Sequence, residues 1–398
     1  MRFCLLAMAN PFLRDEDRNF FVDRKWEWDL NYQLGQVNKI QLFVPEGNTG
    51  DISDLAPIDQ KKIIVHPTGF NWKNGFIRSW FSAISTINKD IEKTDLVQTT
   101  CDVVSLTFFI YLSIKRHKNI MIIIDGDTVK FLKLKAESSK TIKDKIMANT
   151  YALLIDTMLK YSVKKSKISF VVGDELFDRY GHISKSNVEK IDACWIARKD
   201  IMSVESLTAK IDDFKKRPNV RICYASSLTP IKNPMILIEI AQILKDEDIN
   251  FNMDIFGLGP LRQEMEESVA RHGLEKIVRF RGHVMYGQNF FNELARNDVI
   301  LVPNRGGEQP RIIFDAFANG CIVVGSKIKA FSIVENGKTG ILCESLDSRE
   351  FANAIINLKQ GSFPIAEMAA QARQKVTSLV IENQMERRFS SIRKEFDI

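Results

Sequence analysis

The sequence predicts an α/β protein made of two doubly wound, Rossmann-like domains facing a central cleft. Its 398 residues are long for one hydrophobic core and natural for two domains of about 150–200 residues each. Short β-branched runs alternate with helical patterns, as parallel sheets of βαβ units require. The alternation restarts after a polar, charged segment, "ARKDIMSVESLTAKIDDFKKRPN" (197–219).

In the first half, strands are expected at 3–8, 39–44, 62–66, 95–98, 119–124 and 168–172. Helical patterns fall between them at 24–34, 75–90, 103–117 and 138–165. In the second half, strands are expected at 220–226, 251–256, 277–281, 298–303 and 321–324. A helix over 233–245 puts Leu237, Ile238, Ala241 and Leu244 on one face, the spacing of a core-facing stripe. The expected domains are 1–200 and 201–379, with a charged terminal helix, 380–398, crossing back onto the first. A ligand is expected between them, because open parallel sheets bind at the carboxyl ends of their strands.

Composition narrows the class. Hydrophobic residues make up 45% and charged residues 27%, ordinary values for a globular protein. A net charge of +6 suits phosphates or an anionic membrane surface, and equally a solvated basic surface; nucleic acid is not an expected partner. The six cysteines are scattered with no C-x-x-C pair, so they read as small buried hydrophobes in a reducing compartment. The five histidines are dispersed as well, and no metal site is expected. The opening "MRFCLLAMANPFLRDEDR" reads as a first strand rather than a secretory signal. The longest apolar run, "VVSLTFFIYLSI" (103–114), is too short to span a bilayer. The expected location is cytoplasmic, either free or peripheral on the inner face of a membrane.

The second half holds the specific motifs. "FGLGPL" (256–261) is a strand running into a Gly-x-Gly-Pro turn, with glycines that allow close approach to the backbone. It is not a dinucleotide fingerprint, since Arg262 stands where a third glycine is needed. "YASSLTPIKNP" (224–234) places Lys232 near a helix start, a good seat for phosphate and also a common place for a solvated lysine. "RFRGHV" (279–284) is a strand and turn with His283. "VPNRGGEQPRIIFDAFANG" (302–320) is a glycine-bearing loop entering a helix, and "VENGKTGIL" (334–342) follows.

In this order and spacing, over about 218–358, these motifs resemble the nucleotide-sugar-binding domain of the family-4-type retaining glycosyltransferases, which have the GT-B fold. The first half is similar only in outline. The resemblance implies transfer of a sugar from a nucleoside diphosphate donor to a glycan or lipid-linked acceptor, with retention and without a metal or separate cofactor. It implies that Lys232 and the N–H groups of Arg311, Ile312 and Ile313 hold the diphosphate. Asp315 would hold the donor ribose, and Gly282, His283 and Val284 would lie near the base. Gly257 and Ser227 fall within the donor-binding motifs, and Glu308 would be the acid that meets the sugar.

This sequence departs from the family at two places. A glycine-arginine pair, with four residues between the arginine and the lysine, is replaced by Ser226 and Ser227, so one positive charge is missing; either Arg305 or Arg311 substitutes for it or the leaving group is held differently. The acid-to-acid step is seven positions, Glu308 to Asp315, where the family has eight; the eight-back position is Gly307. These departures keep a second expectation open, a catalytically weak donor-binding or scaffolding subunit.

The first half should supply the acceptor site. "AMANPF" (7–12) stands where the family has a glycine-rich loop. Asp125 and Asp127, at a strand end, are candidates for a polar group near the sugar or acceptor hydroxyl, against the alternative of an aspartate-capped turn. His66 is a lesser candidate. Ten lysines between 130 and 167, interleaved with apolar residues, read either as a solvated helix face or as a docking face for anionic lipid headgroups.

Overall fold

The computed structural model describes residues 4–7, 13–15, 17, 19–44, 55–67, 91, 94–100, 111, 113–116, 119–139, 141–183 and 187–396. The expected helix at 75–90, most of that at 103–117 and residues 8–12 lie outside them. The chain divides into two compact units, Met1–Ile191 with Met385–Ile398, and Asp192–Gln384.

The first unit contains β1 (Cys4–Ala7), β2 (Leu13–Arg14), β3 (Phe20–Asp23), α1 (Arg24–Leu34), β4 (Ile40–Val44), β5 (Leu55–Pro57) and β6 (Ile63–Pro67). It continues with β7 (Leu96–Thr100), β8 (Asn119–Ile124), α2 (Thr128–Ser138), α3 (Ile142–Lys165), β9 (Ile168–Val172), α4 (Gly173–Tyr180) and β10 (Val188–Ile191). Seven strands form a parallel sheet in the order β10-β9-β8-β7-β1-β4-β6, and β2, β3 and β5 make a small antiparallel sheet.

The second unit contains α5 (Val204–Lys216), β11 (Val220–Ala225), α6 (Ile236–Asp246), β12 (Phe251–Phe256), α7 (Arg262–Arg271), β13 (Val278–Gly282), α8 (Gln288–Arg296) and β14 (Val299–Val302). Then come α9 (Arg311–Ala318), β15 (Ile322–Ser326), β16 (Gly340–Cys343), α10 (Ser348–Lys359) and α11 (Ile365–Ser378). Its six strands are all parallel, in the order β13-β12-β11-β14-β15-β16. From β11 the chain winds outward to β12 and β13, then returns to β14 on the other side, so the switch point of this sheet lies between β11 and β14. Such a point leaves a crevice at the strand ends, where open α/β sheets take ligands. A last helix, α12 (Ile381–Phe396), brings Phe389, Ile392 and Phe396 into the core of the first unit.

Strands buried on both faces read as continuous apolar runs, as "VILV" in β14 does, and "IQLFV" in β4 departs from this only at Gln41, which is bonded to His66. Four sequence expectations need correction. The helix expected at 138–165 is two helices, because Thr141 starts a new one: its hydroxyl accepts the Asp144 N–H at 3.0 Å and donates to the Asp144 carboxylate at 2.7 Å. The helix expected from 233 starts at Ile236, because Asn233 takes a left-handed conformation (φ 52°) ahead of Pro234. The charged joining segment at 197–219 contains helix α5, capped by Ser203 and burying Leu207, Ile211 and Phe214. Strands β10 and β16 were not foreseen: β10, "VEKI", carries two charges in four residues, and "GILC" starts inside a Gly-marked turn.

Cys194, Cys223, Cys321 and Cys343 are free and buried, and burial pushes the Cys343 thiol up to about 12. Among the described residues no helix is long and apolar enough to cross a membrane, and no cluster of three or more His, Cys, Asp or Glu could hold a metal ion.

Candidate functional site

The loops after β11 and β14 flank the switch point of the second sheet, and they are laced together. Pro230–Lys232 forms one 3-10 turn, so Lys232 sits four residues ahead of α6 rather than at its start. The Arg305 N–H donates to the Ile231 carbonyl at 2.9 Å, and its Nε donates to Asn233 Oδ1 at 3.1 Å. Lys232 Nζ then reaches Glu308 Oε1 at 3.0 Å. The lysine side chain is 13% exposed and the glutamate side chain 42%. Burial works against the Glu308 charge. The Lys232 ammonium, the residue's own backbone N–H and the Arg311 guanidinium outweigh it and hold the carboxyl below the usual range.

Gly307 explains why the acid stands at 308. Its φ is +107°, a left-handed conformation that strains any residue with a side chain, so an acid at the eight-back position would be penalised. The shorter step to Asp315 leaves Glu308 paired with Lys232. The next residue, Gln309, is buried and fixes the loop. Its Nε2 donates to Asp192 Oδ1 at 3.0 Å, and its Oε1 accepts the Ala193 N–H at 2.8 Å.

Helix α9 opens with Pro310 at its N-cap and no side-chain cap. Arg311 is exposed and Ile312 half-buried. The Ile313 N–H, expected to face a phosphate, instead donates to the Pro310 carbonyl at 3.2 Å, because the first turn closes on itself. Asp315 is buried on this helix, 3% exposed, and accepts a hydrogen bond from the Tyr286 hydroxyl at 2.9 Å. Burial first, then the Asp315 carboxylate, push the Tyr286 phenol well above its ordinary value, so it stays a donor. Phe291 packs edge-on against the Tyr286 ring, with centroids 5.3 Å apart. The sequence reading missed Tyr286 and Gln309. Neither has a local signal, since their partners lie 29 and about 116 positions away.

The glycines of "FGLGPL" pack against the neighbouring backbone, as a tight structural turn requires. A Cβ at Gly257 (φ +132°) would fall 1.9 Å from the Ser226 carbonyl oxygen, and one at Gly259 would fall 2.4 Å from that of Leu228. The Leu228 N–H bonds to the Leu258 carbonyl at 2.9 Å, and the Gly257 N–H bonds to the Gly282 carbonyl at 2.8 Å. Ser227 is tied locally: its carbonyl accepts from the Tyr224 hydroxyl at 3.1 Å, and its hydroxyl lies 3.3 Å from that of Thr229. His283 is exposed. Val284 lines an open cavity of about 470 Å³ together with Phe256, Phe280, Arg281, Asn289, Asn292, Glu293 and Arg296, a lining more polar than apolar.

In the first unit, Asp127 is 4% exposed and fully engaged, so it is not the polar group near a sugar that the sequence suggested. It caps α2 by accepting the Lys130 N–H at 2.9 Å and binds the Arg179 guanidinium through both oxygens, one at 2.5 Å and the other at 2.8 Å. Asp125 is exposed at the end of β8. His66 stacks on Phe43 and bonds to Gln41 Oε1 at 3.0 Å.

Residues 219–360 match the family model described as "Glycosyl transferases group 1". The amylovoran biosynthesis glycosyltransferase AmsK of Erwinia amylovora is 27% identical over 179 residues, 43% of this chain and 44% of that protein. The poly(ribitol-phosphate) alpha-N-acetylglucosaminyltransferase of Staphylococcus aureus (strain COL) is 23% identical over 264 residues, 60% of this chain and 52% of that protein. The chain thus spans about half the length of these curated relatives. The solved structure of HepE from Anabaena in complex with UDP superposes with a TM-score of 0.70 at 15% identity, covering 99% of this chain and 100% of that one. The fold is therefore that of the GT-B glycosyltransferases.

Proposed function

We propose, on the premise that residues 219–360 belong to the group 1 glycosyltransferase family and that the fold is GT-B, that the chain transfers a sugar from a nucleoside diphosphate donor to an acceptor. The observation that carries this reading is the Lys232–Glu308 pair at the switch point of the second sheet. The leaving diphosphate gains negative charge as the glycosidic bond breaks, while the sugar becomes oxocarbenium-like. A lysine ammonium already in place stabilises the first, and a carboxylate stabilises the second. The donor diphosphate would draw Lys232 away from Glu308, leaving the carboxylate to face the sugar. Lys232 with Arg311 and Arg305 supplies the positive charge, so the reaction is read as metal-independent, and the nucleotide sugar is a substrate rather than a cofactor.

In this reading Asp315 holds the ribose with Tyr286 beside it, and the base lies near Gly282, His283 and Val284. Retention of configuration follows from the family resemblance. The bound UDP of HepE and the names of the two glycosyltransferase relatives support a nucleotide-sugar donor and a role in surface polysaccharide or glycolipid synthesis. The acceptor is read as a glycan or lipid-linked glycan met at an anionic membrane surface, with the protein peripheral on its cytoplasmic side. Asp125, at the end of β8, is the acceptor-side candidate.

The serine at 227 and the covered Asp315 favour a second reading, a donor-binding subunit with little turnover of its own. Incubation with a panel of nucleotide sugars and acceptor extracts separates the two. Release of nucleoside diphosphate with one donor supports transfer; nucleotide binding without release from any donor supports the subunit.

A further inference from the structure

Helix α3 is apolar on two opposite faces. Ala148, Ala152, Ile155, Leu159 and Val163 are buried against the first unit. At 100° per residue the opposite arc carries Ile142, Ile146, Met147, Leu153, Leu154 and Tyr161, which are 79%, 61%, 60%, 68%, 46% and 42% exposed. Seven of the thirteen exposed large apolar side chains among the described residues lie on this one helix, so they form a patch rather than scattered singles. Helix α2 packs beside it and adds Phe131, 52% exposed.

A helix with a second, outward apolar face normally has something covering it. The polar groups on the outward arc say what fits. Thr150 and Thr157 lie in its middle, and their hydroxyls donate to the Ile146 and Leu153 carbonyls at 2.9 and 2.8 Å, so they present no unsatisfied donor to an apolar medium. Lys143, Lys160, Lys164 and Lys165 share the same side, with long stems that let the ammonium groups reach upward to headgroups. The helix has two carboxylates, and both are engaged: Asp144 with the Thr141 hydroxyl, and Asp156 with Lys160 and Tyr180. The outward face is therefore apolar and positive.

We infer that the outward face of α3, with Phe131 of α2, inserts into the headgroup region of an anionic bilayer, so that apolar burial and lysine attraction act together. Too charged to span, the helix lies along the surface over about 36 Å. This changes the sequence reading, in which lysines alone made the contact. Of those lysines, Lys130 is paired with Glu175, and Lys167 rests over the Phe396 ring. The inference deepens the membrane part of the proposed function and rests on it only for the acceptor. Donor turnover without vesicles tests the chemistry separately.

The test is flotation of the full chain with vesicles of phosphatidylcholine alone or mixed with phosphatidylglycerol. The unmodified protein should float with the mixed vesicles and keep part of that binding at high salt, where headgroup attraction is screened. Ile146→Asp with Leu153→Asp should lower binding by about tenfold or more while melting and donor turnover stay unchanged. As a second readout, Leu153→Trp should add blue-shifted emission that brominated lipid quenches. Flotation of the double variant equal to that of the unmodified protein would overturn the proposal. So would emission from position 153 that vesicles leave unchanged, or a dimer broken by the double variant in a protein that binds no vesicles.

Discussion

Lys232 and Glu308, 76 positions apart in sequence, lie 3.0 Å from each other across the switch point of the second sheet. The strand order β12-β11-β14-β15 brings them together, because it puts the ends of β11 and β14 side by side. The Lys232 ammonium thereby favours the ionised form of Glu308.

Lys232→Ala should remove a preorganised donor from the diphosphate and lower turnover by about 10²–10³-fold. Steady-state release of nucleoside diphosphate measures it. A loss confined to KM would mean that the lysine only binds.

Glu308 has a depressed folded-state pKa, so its contribution to stability is present above the unfolded value and is lost as pH falls through the folded one. A diphosphate that takes Lys232 away should raise that pKa. Between the free and bound values, at acid pH, donor binding should therefore take up a proton; at neutral pH it should take up none. Calorimetry in buffers of different ionisation enthalpy reads the uptake, and Glu308→Gln should abolish it.

Tyr286→Phe removes a hydrogen bond to the buried Asp315 carboxylate, 2.9 Å away. The free protein should lose about 1–3 kcal/mol in urea unfolding. Saturating nucleoside diphosphate should shrink the loss, because a ribose hydroxyl can replace the phenol. An equal loss with and without nucleotide would place the ribose elsewhere.

Asp127→Ala breaks a buried bidentate pair with Arg179 and a helix cap together. Stability should fall by about 3 kcal/mol or more, with turnover per folded molecule unchanged. Lost turnover in a protein that still melts cooperatively would return Asp127 to the acceptor site.

Gly257→Ala would put a methyl 1.9 Å from the Ser226 carbonyl, whereas Gly126→Ala meets nothing within 4 Å. The first should destabilise markedly and the second by less than about 1 kcal/mol in thermal melts.

Much of the fold was legible because buried parallel strands such as "VILV" and "IQLFV" need no partner to be recognised. The break before α3 was legible too, in the Thr-x-x-Asp of "TIKD", but the longer helical pattern hid it. The donor motifs could be read in order, yet not their pairing. Glu308 faces Lys232 only because Gly307 turns the loop with a positive φ and Gln309 holds it from behind. Tyr286 over Asp315 and the outward face of α3 depend on what lies next to them in space, and no spacing rule records that.

The most direct test of the central claim compares donor turnover by the unmodified protein and by Glu308→Gln, with nucleotide affinity measured alongside. The account predicts a loss of turnover of about 10²-fold or more with nucleotide affinity nearly unchanged. Intact turnover in the variant would contradict it and leave Glu308 as an ion-pair partner for Lys232 and nothing more.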